Sequence, residues 1–345
     1  MNRNGVRREG FTISKQLLIL AGTLLIIAVI SVSLTRTMQS SSPDGQGENI
    51  ALLADHEGVQ IARLSDDPGA SDFQAIRDAF VRRNPGYDLH YLPSVEKLDA
   101  ADSYRVLFVQ EGEGRATIHQ QGGESHDSEV IVGDILLLNQ GERLTSDVEL
   151  SLLEFHVPET PDQELPPFIR PDWDPNITDT PGGCATDIDA YRRILLTWSE
   201  EVGNYLFHSL NAHRVRIRDS FTHYHPVDTG FDEFYLVQLT EPGARIITSE
   251  RTDRIVQPGS VDRSETASLM EEYELEVGDL VYLPRGVAHR GFGGVVAQVI
   301  TVPGFIPGNE IGVDHHLRRI NERLELPDDE ALPYNLEASE GPVIR

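Results

Sequence analysis

The chain has 345 residues, 39% hydrophobic and 25% charged, which excludes a disordered or fibrous polymer and leaves room for more than one domain. Its formal charge is −27, and residues 1–38 carry +4, so the remainder stands near −31. Such an acidic surface repels phosphate backbones, which excludes nucleic acid as a partner. A single cysteine, Cys184, rules out an intrachain disulfide.

At the N-terminus, Arg3, Arg7, Arg8 and Lys15 precede an uncharged run over 16–34. A helix of that length spans about 28 Å, close to the hydrocarbon thickness of ~30 Å. The basic flank predicts that residues 1–38 are a cytoplasmic stub and single-pass membrane anchor, with the later domains extracytoplasmic. A cleavable signal peptide is the competing reading, although its apolar region is usually ~7–15 residues. Residues 39–49 form a polar linker. A first globular domain is expected over 50–157 and a connector over 158–184, whose prolines keep it extended. A second domain follows over 185–305. In the tail, 306–345, Leu317, Ile320 and Leu324 predict a short helix with Asp314 as its N-cap.

Both domains read mainly as strands. In the second, His213, Val215, Ile217, Phe221, His223 and His225 share one parity, while Arg214, Arg216 and Arg218 alternate with them. Glu233, Tyr235, Val237 and Leu239 form the inner face of the next strand, and Phe234, Leu236 and Gln238 suggest that its other face is covered as well. The run 280–283 is a short strand held between the Gly278-Asp279 and Pro284-Arg285-Gly286 turns.

An internal repeat runs at an offset of 145 residues: Gly133, Asp134, Leu138, Gly141 and Leu144 align without gaps on Gly278, Asp279, Leu283, Gly286 and His289. The first copy has Leu144 in place of His289, and a residue near Arg105 in place of Glu233. Its turns persist and its chemistry does not.

His223, His225, Glu233 and His289 are the most chemically specific residues. On a strand, His223 and His225 point to one face. Three neutral imidazoles and a carboxylate suit one divalent transition metal. Asp232 is the rival carboxylate if the strand register differs by one. His208 and His213 read as core or strand residues, and His315 and His316 as the start of the tail helix.

His-x-His followed by Glu, then Gly278-x5-Pro284-x-Gly286-x2-His289, resembles the cupin superfamily, here as a two-domain bicupin with a degenerate first copy. One departure is the seven residues between His225 and Glu233, where the family usually has three or four. An enlarged turn over 226–230 would absorb the difference. The resemblance implies an all-β fold, two jelly-roll barrels, with one divalent metal in the mouth of the second. Fe(II) or Mn(II) is favoured, and Zn, Ni or Co would also suit. It implies a metal-dependent enzyme, dioxygenase-like, acting on a small oxygen-rich organic molecule. The alternatives are decarboxylase, isomerase or lyase chemistry, or a non-catalytic ligand-binding or sensory module. Tyr235, Arg285 and Gln298 are candidate substrate-facing residues, each equally readable as packing or surface. The long stretch 251–272 reads as an ordinary surface excursion, with a lid as the other reading. The degenerate first domain could serve for packing or for homo-oligomer formation.

Overall fold

The computed structural model describes residues 58–64, 70–183 and 190–345. The apolar run 16–34, the linker 39–49 and Cys184 lie outside them. Among the described residues, no helix is long and apolar enough to cross a membrane.

The described chain begins with strand β1 (Gln60–Arg63) and helix α1 (Ser71–Arg83). A seven-stranded antiparallel sheet follows, made of β2 (Asp88–Leu98), β3 (Tyr104–Glu111), β4 (Gly114–His119), β5 (Ser125–Val130), β6 (Ile135–Leu138), β7 (Arg143–Val157) and β8 (Phe168–Ile169). The second sheet has ten strands. It comprises β1, β9 (Arg192–Leu196), β10 (Asn211–Asp219), β11 (His223–Tyr224), β12 (Asp232–Thr240), β13 (Arg245–Ser249), β14 (Glu271–Glu274), β15 (Asp279–Leu283), β16 (Ala288–Val302) and β17 (Ile311–Gly312). Strand β1 pairs with β15, so residues 60–63, which the sequence places with the first domain, hydrogen-bond in the second sheet. The long β16 pairs with β10 and β12 along its C-terminal half and with β11 and β13 along its N-terminal part, which curls the sheet into a barrel.

The fold is mainly β as expected, but α1 is an element the strand reading missed. Its signal is present: Phe73, Ile76, Ala79 and Phe80 fall on one helical face, and all four are buried. Pro85 disfavours helical geometry at Asn84 and ends the helix there. The chain then turns at Gly86, whose φ of 93° suits glycine. The buried face of α1 joins the two sheets. Phe80 lies 5.8 Å from Phe155 of the first sheet and 5.2 Å from Phe234 of the second, and those two rings are 5.4 Å apart.

The internal repeat is real in three dimensions. Gly133 and Gly278 both have positive φ, 101° and 91°. The following aspartates make the same turn, Asp134 accepting from the Ile131 N–H and Asp279 from the Glu276 N–H. Arg105 is the register partner of Leu138, as Glu233 is of Leu283, so Arg105 occupies the position equivalent to Glu233. Its buried guanidinium donates to the Glu142 carbonyl at 2.8 Å and to Glu154 at 3.4 Å. Leu144 packs in an apolar interior with Leu107, Leu136 and Leu138. A fixed cation and a leucine thus stand where the second sheet has Glu233 and His289.

One inner-face expectation fails. Leu239 is 54% exposed, because an irregularity between Val237 and Leu239 shifts the register and turns it outward.

Candidate metal centre

Three strands and the turns that join them bring His223, His225, Glu233 and His289 together. His223 on β11 and His289 at the start of β16 are direct cross-strand partners. The Pro284-x-Gly286 turn is held by Gly286 N–H donating to the His225 carbonyl at 2.8 Å, which brings β16 back beside the histidine pair. The expected enlarged turn closes through Gly230 N–H to the Pro226 carbonyl at 2.8 Å. Only glycine fits there, since a Cβ on Gly230 would lie 2.4 Å from that carbonyl.

All four side chains are buried, and one donor atom from each lies within 4.8 Å of the others. His223 Nδ1 contacts the Phe221 carbonyl at 3.1 Å and His289 Nδ1 the Val287 carbonyl at 3.2 Å. A carbonyl only accepts, so each Nδ1 carries the proton and each Nε2 presents a lone pair. His289 Nε2 then lies 3.2 Å from Glu233 Oε1, and His225 Nε2 3.8 Å from Glu233 Oε2. The Nε2 atoms of all three histidines and Glu233 Oε1 are buried without a hydrogen-bond partner. Acceptors facing acceptors in a buried space repel unless a cation lies between them. Burial, with His289 adding to it, holds both His223 and His225 well below the usual imidazole range, which keeps their lone pairs available. The residues present therefore fit a divalent metal.

Asp232, the rival carboxylate, is on the opposite face of β12. It accepts hydrogen bonds from Asn84 Nδ2 at 2.6 Å, Tyr282 Oη at 2.9 Å, and Arg285 N and Nε at 2.9 and 3.0 Å. Burial, with the Asp232 charge beside it, pushes the Tyr282 phenol upward. The strand register thus settles Glu233 as the inward carboxylate.

A cavity of about 440 Å³ adjoins the group, with Glu233, His213, Thr301, Trp198 and Phe305 in its wall. None of the three substrate-facing candidates lines it. Arg285 is held by Asp232 and Asn84 at the junction of the sheets. Gln298 spans that junction to the Gly133 carbonyl at 2.7 Å. Tyr235 is buried inside the barrel, its ring 6.4 Å from that of His289. The stretch 251–272 does not line the cavity either. Its helix α2 (Thr252–Ile255) and neighbouring turns pack Ile255, Val261 and Leu269 against the tail helix α3 (Asp314–Leu324).

Of two further residues beside the site, the sequence reading missed one and misplaced the other. Glu310, next to β17, lines the cavity, with its carboxylate 3.9 Å from His223 Nε2. Burial, reinforced by Glu233, pushes it up to about 7. A lone Glu between Asn309 and Ile311 carries no periodic signal that would reveal this. The second is Asp314, which lies inside α3 and not at its N-cap. Its carboxylate accepts from Thr222 N at 2.7 Å, Thr222 Oγ1 at 2.6 Å and Asn335 N at 2.8 Å, pinning the residue before His223. Asp314→Ala should cost about 1–3 kcal/mol by leaving buried donors unpaired, as measured by urea unfolding.

The structure brings the four donors that the motifs single out together on a curled ten-stranded sheet. No protein-family model and no curated protein matches the chain. Among solved structures, Bacillus subtilis oxalate decarboxylase is similar. One structure, concerned with its Mn(II) centres, shares 12% identity and a TM-score of 0.43, covering 75% of this chain and 80% of its own. A mutant of that enzyme shares 12% identity and a TM-score of 0.42, covering 70% and 76%. That likeness is one of chain course alone.

Proposed function

We propose that the chain is a metal-dependent enzyme that holds one divalent transition ion on His223, His225, Glu233 and His289 and acts on a small oxygen-rich organic substrate. The observation that carries this reading is the set of three imidazole lone pairs and a carboxylate, all buried and otherwise unpartnered. When bound, such an ion supplies Lewis acidity and, if Fe(II) or Mn(II), redox chemistry. The protein's own part is to exclude water from the donors, to orient His223 and His289 through their Nδ1–H groups, and to admit substrate through the cavity. We assign the reaction to oxidative cleavage of the dioxygenase type. Decarboxylation is the second reading, favoured by Glu310, a carboxyl on the cavity wall outside the donor set that could deliver the proton replacing CO2.

Elemental analysis of protein purified without added metal tests the centre, with about one transition ion per chain expected. Oxygen uptake with a panel of organic acids, against CO2 release without oxygen, separates the two reactions. Absence of any bound transition metal would overturn the assignment.

We also propose that the run 16–34 is a single-pass anchor with the globular domains outside the cytoplasm, on the strength of its length and basic flank. The full-length chain should stay with membranes through alkaline carbonate extraction, and its release would sink the anchor.

A further inference from the structure

We propose that residues 343–345 are a strap that holds the metal group in place, with Arg345 as its positioning residue, so that strap closure and metal binding are coupled. The proposal deepens the proposed function and rests on that reading. The strap runs antiparallel along β17, with Ile344 opposite Ile311. Gly312 N–H donates to the Val343 carbonyl at 2.8 Å, and Gly308 N–H to the Arg345 carbonyl at 2.8 Å. Glu310 and Arg345 each donate an N–H to the other's carbonyl at 3.1 Å. Strand β17 pairs in turn with β11, and β11 with β16, through Gly312, His223 and His289 in register. The strap is therefore the outer strand of the ladder that carries two of the four donors.

The side chains repeat this link. The Arg345 guanidinium lies over the Phe221 ring at 4.7 Å, and that ring stacks on the His223 imidazole at 4.4 Å and 20°. The Phe221 carbonyl also accepts from His223 Nδ1, so one residue fixes the imidazole by ring and by backbone. Arg345 Nη1 donates to the Gly183 carbonyl at 2.7 Å, which ties the strap to the connector. Glycine at 312 lets these parts meet, since a Cβ there would lie 3.0 Å from Val343 Cβ and 3.3 Å from Phe221 Cδ2. The strap also holds the backbone of Glu310, whose carboxylate lies 3.9 Å from His223 Nε2. Ile344 is 64% exposed, so the strap buries little apolar surface and hangs on these few contacts. Segments of that kind open locally at small cost. The closed strap fixes His223, and by linkage an ion on His223 stabilises the closed strap.

The test measures Zn(II) affinity by competition with a chromophoric chelator, for the full chain, for Arg345→Ala and for a chain lacking residues 343–345. Arg245→Ala, which removes a guanidinium lying over Phe292 at 4.9 Å on the same sheet, is the control. Both strap variants should bind zinc about tenfold more weakly, the lower end of the range for groups that orient a ligand, and the control should stay within about twofold of the wild type. A guanidinium felt at the metal group only as a charge would have the opposite sign, and its removal would tighten zinc. In the wild type, zinc loading should slow amide hydrogen exchange over 308–312 and 343–345, where the strap bonds lie. Unchanged or tighter zinc in both strap variants, an equal loss in the control, or exchange in those segments unmoved by zinc overturns the strap and leaves the metal centre standing. A wild-type chain that takes up no zinc overturns the metal centre and the coupling with it.

Discussion

Replacing His289 with alanine is expected to take the chain from about one bound divalent ion to far below one, and to abolish turnover. The imidazole supplies one of four donors, and its Nε2 lies 3.2 Å from Glu233, against 3.8 Å for that of His225. Groups that merely orient a ligand cost 10–100-fold in metal affinity when removed, so loss of a ligand itself should exceed about 100-fold. The stability readout is independent of activity. An ion present at about 100 times its dissociation constant stabilises the native state by about 2.7 kcal/mol. A chelator should therefore lower the melting temperature of the wild type and leave His289→Ala almost unmoved. Wild-type metal content in the variant, measured by elemental analysis, would contradict the assignment of His289 as a ligand.

Asp232→Ala is expected to destabilise the fold by about 3–5 kcal/mol, the range for a buried ion pair stripped of one partner. The carboxylate is fully buried and receives donors from three segments: Asn84 at the end of α1, Tyr282 on β15, and Arg285 in the Pro-x-Gly turn. Its loss leaves the Arg285 guanidinium largely buried, with only the Asn84 Oδ1 and the Arg83 carbonyl to accept from it. Asp232→Asn keeps the shape and one acceptor and should cost less. Asp232 also precedes Glu233 and ties the turn that carries His289, so metal affinity should fall about 10–100-fold in the alanine variant. A change in unfolding free energy below about 1 kcal/mol in urea would show that the network carries little of the junction.

Much of the site was legible in the chain because its signals are local. His223 and His225 share a face by strand parity, and Gly278, Pro284 and Gly286 declare their turns, so His289 could be placed near them. The repeat could be read too, and the register of Arg105 against Leu138 matches that of Glu233 against Leu283. Helix α1 was overlooked although Phe73, Ile76 and Phe80 carry a helical period, because its flanks read as strands. Arg285 and Gln298 looked available for substrate because charge and amide groups near a motif carry no direction in one dimension. In the structure both are committed at the junction of the sheets.

By itself, then, the sequence singled out three histidines with a carboxylate at Asp232 or Glu233, the β character of both repeats and the loss of chemistry in the first, since each depends on residue type and spacing along one strand or turn. Only the tertiary structure decided that β1 completes the second sheet, that Asp232 and not Glu233 faces α1, and that Glu310, Thr301 and His213 meet at one cavity. Those outcomes depend on which faces and edges come together across tens to hundreds of residues, and burial sets that only once the whole chain has packed.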